Sequence, residues 1–107
     1  MSDTTVTEAD AGSTVELERG STLTVRLEEV PTTGYQWAVD EVDGRVLDLQ
    51  ESEYEQHSGT GVDGGGRHSF TFRAAEPGTT TLTMVLRREW EPENPDDRFE
   101  VTVAVRG

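Results

Sequence analysis

Apolar residues recur at every second position along most of this chain, and that period admits one backbone state. Val15 and Leu17, then Leu23, Val25 and Leu27, then Trp37 and Val39 stand two apart. Val46, Leu47 and Leu49 are less regular. Phe70 and Phe72, then Leu82, Met84 and Leu86, then Phe99, Val101, Val103 and Val105 resume the alternation. Successive side chains of a strand point to opposite faces, so each run presents one apolar face. The intervening positions are mostly Thr, Glu, Ser and Arg, as a half-solvated antiparallel sheet requires. No stretch carries a helical period.

Turn chemistry separates the runs at Arg19-Gly20, Pro31 to Gly34, Asp43-Gly44, the glycine cluster from Gly59 to Gly66, Pro77-Gly78 and Pro92 to Pro95. The pattern predicts an all-β protein, an immunoglobulin-like β-sandwich of about seven antiparallel strands. Trp37 stands where such sandwiches place a core tryptophan. The chain has no cysteine, so antibody homology is not supported, and no disulfide, thiolate metal site or cysteine nucleophile is available. A chain of 107 residues is one domain by length, able to bury roughly two thirds of its unfolded surface. Residues 1–12 are expected to form a disordered acidic tail, and residues 13–107 the sandwich.

The charge is lopsided: 22 acidic against 9 basic residues, net −13, and every basic residue is arginine. Such a surface repels nucleic acid and anionic membranes, so neither is an expected partner. The acids could attract a basic partner. They are spread along the chain, however, which favours adaptation to molar salt, where the Debye length falls to about 3 Å and dense carboxylates maintain solubility. No apolar run approaches the roughly 20 residues that cross a bilayer. The first residues have neither the basic start nor the apolar core of a signal peptide, and the expected location is cytoplasmic.

Three connections look too elaborate to be mere connectors. The first is "VPTTGYQW" (30–37), the second "HSGTGVDGGGRH" (57–68), the third "RREWEPENPDD" (87–97). Alone, a Pro-Thr-Thr-Gly turn is usually an ordinary turn, and a glycine cluster usually a linker. Trp90 is harder to dismiss, because its sequence neighbours are charged, although parity from Leu82, Met84 and Leu86 could aim it into the core. In a seven-stranded sandwich these connections emerge at one end, where a rigid scaffold presents binding loops.

Pro31-Thr32-Thr33-Gly34-Tyr35 with Trp37 resembles the N-P-T-T-G-[YF]-x-W motif of the chagasin-like inhibitors of papain-type cysteine proteases. The glycine-rich loop resembles their G-x-G-G, with Gly65 and Gly66 as the paired glycines or, in a one-residue slip, with Gly61 drawn in, and Arg88-Glu89-Trp90-Glu91 resembles their R-P-W-E. Order, spacing and strand pattern are similar from about Val15 onward. The chain departs from the family at three places: Val30 stands for asparagine, Asp63 for the first glycine of the second motif, and Glu89 for proline.

The resemblance implies a reversible inhibitor, a monomer, whose three loops wedge into the cleft of a papain-like cysteine protease. The implied contacts are Pro31, Thr32, Thr33, Gly34 and Tyr35 on one flank, and Arg88, Glu89 and Trp90 on the other. Asp63, Gly64, Gly65 and Gly66 lie between, over the catalytic cysteine. Glycines suit that slot because no side chain holds their backbone out. The threonines would offer hydroxyl and backbone hydrogen bonds, and tryptophan and arginine suit a hot spot. Tyr35 and Trp37 are expected wholly or partly in the core beneath.

An enzyme is not expected. His57 and His68 lie near Ser58 and Ser69, but adjacent strand residues face opposite ways, and isolated surface histidines are the better account. The acidic pairs Glu28-Glu29 and Asp96-Asp97 lack calcium-loop spacing, so no metal or cofactor is expected. The alternative function is an adhesion or carbohydrate-binding module using the same loops, with Trp90 as a stacking platform.

Overall fold

In the computed structural model, which describes residues 3–30, 33–56 and 65–107, the alternation becomes two stacked sheets. The strands are β1 (Asp3–Val6), β2 (Thr14–Glu18), β3 (Thr22–Glu29), β4 (Tyr35–Glu41), β5 (Leu47–Gln56), β6 (Gly66–Ala74), β7 (Gly78–Arg88) and β8 (Asp97–Arg106). One sheet has the order β1-β3-β6-β5 and the other β2-β8-β7-β4. The residues in register explain the core. Leu23 pairs with Phe72 and Val25 with Phe70 in one sheet, while Leu82 pairs with Val101 and Met84 with Phe99 in the other. All eight side chains are buried between the sheets, where dispersion and apolar burial hold them.

The expectation of about seven antiparallel strands needs two corrections, and both come from the N-terminus. Among the described residues there are eight strands, because Asp3–Val6, expected within a disordered tail, adds to the edge of β3 and buries Val6. Two strand pairs are also parallel: β1 with β3, and β2 with β8. The segment between β1 and β2 passes from one sheet to the other, so neither strand can enter as a hairpin partner. A single 3-10 turn at Glu8–Asp10 makes the crossing, closed where Thr7 N donates to Asp10 Oδ2 at 2.9 Å. Gly12, at φ +84, then donates its N–H to the Glu100 carbonyl at 2.7 Å. A run of four residues with one apolar member is too short to announce a strand.

Among the described residues, no helix is long and apolar enough to cross a membrane. The irregular run at Val46, Leu47 and Leu49 is a bulge: the register of β5 slips between Leu49 and Glu51, and Leu49 is exposed. Beyond it, β5 carries mostly polar, exposed residues along the sheet edge, an arrangement that discourages edge-to-edge pairing.

Candidate functional site

The three elaborate connections do emerge at one end. Gly66 pairs with Glu29 on one side and Gln56 on the other, so the ends of β3, β5 and β6 share a rim. In the second sheet Tyr35 pairs with Arg88, and Leu86 with Asp97. Pro31, Thr32, Asp63, Gly64 and His57 lie outside the described residues. The remaining predicted residues have clear places.

The first loop is closed largely by itself. Thr33 donates both its N–H (3.1 Å) and its hydroxyl (2.7 Å) to the Val30 carbonyl, and its hydroxyl accepts from Tyr35 N at 3.2 Å. The Thr33 carbonyl accepts from Arg88 Nε at 3.2 Å. In the unbound chain the single proton of the Thr33 hydroxyl is thus engaged in shaping the turn. Gly34 follows at φ +83, the left-handed region that favours glycine.

The third loop is keyed to the first. The Arg88 guanidinium lies over the Tyr35 ring, 4.3 Å from its centroid, and its Nη1 reaches Glu91 Oε1 at 3.3 Å. Arginine suits this position because a planar fork can stack and donate in two directions at once. Beyond it Glu89 is exposed and Trp90 is 69% exposed, so strand parity does not carry Trp90 into the core. Its indole is nevertheless held: a methyl at Gly34 would lie 2.6 Å from Trp90 Cη2. A large apolar side chain thus stands in solvent against the first loop, with the Arg88 guanidinium 5.8 Å from its ring centroid.

This geometry has relatives. Residues 16–105 match the model for the chagasin family of peptidase inhibitors. The chain belongs to the chagasin family. Amoebiasin-1 of Entamoeba histolytica is 30% identical over 102 residues, covering 94% of this chain and 98% of that protein. Among solved structures, the cysteine protease inhibitor EhICP2 from Entamoeba histolytica superposes with TM-score 0.87 at 23% identity, covering 99% of this chain and 97% of that one. PbICP-C, solved in complex with falcipain-2, shares the fold at TM-score 0.69 and 15% identity, with coverage of 97% of this chain and 89% of that one. The chagasin family consists of protease inhibitors and not of enzymes.

Against the chagasin pattern, two residues change meaning. Gly66 resembles a cleft-facing glycine but is the buried first residue of β6, where an added Cβ would stand 2.6 Å from Tyr54 Oη and closer still to the Glu55 carbonyl. Its lack of a side chain serves internal packing, and only Gly65 among the described glycines of this loop lies outside the strands. Partial burial raises the Tyr54 phenol above its usual pKa, and the carboxylates of Glu29 and Glu28 add to the effect.

His68 is not the isolated surface histidine that the sequence suggests. Its Nδ1 lies 3.0 Å from Glu29 Oε1 and its Nε2 2.7 Å from Ser52 Oγ. Glu29, on β3, is buried and also accepts from Trp37 N at 2.7 Å. The signal was available: Glu29 continues the inward series Leu23, Val25, Leu27, and a carboxylate there needs partners. Trp37 is buried beneath the loops, its Nε1 donating to the Glu28 carbonyl at 2.8 Å. Tyr35 is half-buried under Arg88. Among the described residues, no group of three His, Asp or Glu side chains could hold a metal ion.

Proposed function

We propose that this chain is a reversible inhibitor of papain-like cysteine proteases, seating the loops at this end in the catalytic cleft. The observation that carries the reading is Trp90, exposed yet seated on Gly34, in a third loop locked to the first by Arg88. An apolar anchor ordered before binding loses little entropy on docking, which is how a preformed wedge gains affinity. Because Arg88 and Trp90 rest directly on the first loop, we read these two loops as one joint flank and not as the two opposite flanks that the resemblance implied, with the glycine-rich connection offering backbone to the narrow slot. Glu89 adds a negative charge beside the anchor and leaves the chain freer there than the proline of the family pattern would.

The test is titration of active papain with the folded protein, at low and at molar salt. Competitive inhibition, with no cleavage in the glycine loop and no effect on a serine protease, is expected. Trp90→Ala should weaken inhibition by roughly thirtyfold, the scale of an aromatic hot spot of about 2 kcal/mol. A protein that stays folded and leaves papain fully active at both salt concentrations would instead be a binding module of another kind. We also propose that the dispersed acidity is an adaptation to high salt.

A further inference from the structure

Glu29 occupies a position that packing alone would give to leucine or methionine. It is the last inward residue of β3, and its side chain is 3% exposed. A carboxylate taken out of water is destabilising unless hydrogen bonds replace the lost hydration. Here one oxygen, Oε1, accepts from Trp37 N and faces His68 Nδ1. A carboxylate has only lone pairs to offer, so Nδ1 carries the proton, and in the neutral ring Nε2 accepts the Ser52 hydroxyl. The imidazole cannot tilt freely, because it stacks on Phe70 at 4.2 Å between centroids with an interplanar angle of 16°.

The positions of the partners matter more than their number. β3 leads into the first loop at Val30, and β4, which holds Trp37, leads out of it. β5, which holds Ser52, leads into the glycine loop, and β6, which holds His68, leads out of it. Trp37 also belongs to the opposite sheet. One buried carboxylate therefore ties the stems of two loops together and ties one sheet to the other beneath them. The Ser–His–carboxylate order has the spacing of a hydrolytic triad, but its three members lie on three different loop stems in a family of inhibitors.

We infer that Glu29 is a positioning residue for inhibition, which fixes the strand stems of the first loop and of the glycine loop relative to each other through Trp37 and His68. This rests on the inhibitor reading above. The Val30 carbonyl accepts from Thr33 in the turn, and Glu29, one residue earlier, supplies a side-chain brace from below.

The experiment compares three variants with the wild type: Glu29→Gln, Glu29→Met, and Glu29→Met combined with His68→Leu. Three quantities are read: papain inhibition, thermal unfolding, and amide exchange at residues 33–37 and 65–68. Glu29→Gln keeps an oxygen for both donors and should inhibit within about threefold of wild type. Glu29→Met should weaken inhibition by about tenfold or more and speed exchange at both loop stems, leaving Val25 and Val101 protected. The double variant replaces the pair with apolar groups, so it should fold even where Glu29→Met does not, and should show the same losses. The inference is overturned if the folded methionine variants inhibit like wild type with unchanged stem exchange, or if Glu29→Gln is as weak as they are. Should the wild type itself fail to inhibit papain, the inhibitor reading falls, and the exchange comparison alone decides whether Glu29 holds the stems.

Discussion

Two glycines at the loop end have opposite reasons to be glycine, and substitution separates them. Gly66 is enclosed by the Tyr54 hydroxyl and the Glu55 carbonyl in the ladder of β5 and β6. Gly66→Ala should therefore destabilise the fold by about 1–3 kcal/mol, as overpacking of a filled site does, which a denaturant titration would register. Gly34 is half-buried, the nearest atoms to an added Cβ all belong to Trp90, and it sits at φ +83. Gly34→Ala should displace the indole, so inhibition should suffer more than its strain, about 1 kcal/mol, takes from stability. An unfolding midpoint unmoved by Gly66→Ala, or inhibition unaffected by Gly34→Ala, would contradict this division.

At the scale of elements, β1 and the Arg88 contacts are the informative cases. Val6 is buried and all four residues of β1 pair with β3, so the segment contributes to the sandwich and covers an edge. Deleting residues 1–12 should lower the unfolding midpoint by about 4 °C or more, the effect of roughly 1 kcal/mol on a domain of this size. An unchanged midpoint would return the segment to the status of a tail. Arg88 joins two loops by stacking and by directed hydrogen bonds. Arg88→Lys preserves charge and loses the fork. It should leave stability nearly unchanged while speeding amide exchange at residues 33–35. Glu89→Pro lies next to it in the same loop and should hold or improve affinity, because a fixed φ leaves less freedom to lose on binding.

At the scale of the whole molecule, net charge dominates. With −13 on 107 residues and no lysine, self-repulsion at low ionic strength should loosen the sandwich, and molar salt should screen it. Thermal unfolding followed by circular dichroism should show a higher midpoint in molar KCl than at low salt. Equal midpoints would sink the salt-adaptation reading and favour a basic partner for the acidic surface.

Much of this molecule was legible in one dimension because a strand writes its burial with period two. Leu23, Val25, Leu27, Phe70, Phe72, Leu82, Met84, Phe99, Val101 and Val103 were assigned to one face by parity and are the buried core. The turn residues between them marked the three connections that meet at one end, and the motifs they carry pointed to the family. Other features depended on partners that no local period encodes. Thr33 and Arg88 meet across 55 positions and Glu29 and His68 across 39, so the closed first loop and the brace beneath it exist only once the strands have paired. Gly66 became a packing residue only when Tyr54 was brought over it. The parallel β1 was hidden in a short polar segment whose one apolar residue acquires meaning against the edge of β3. Periodicity determines which way a side chain points; register determines what it meets, and register is a property of the folded pair.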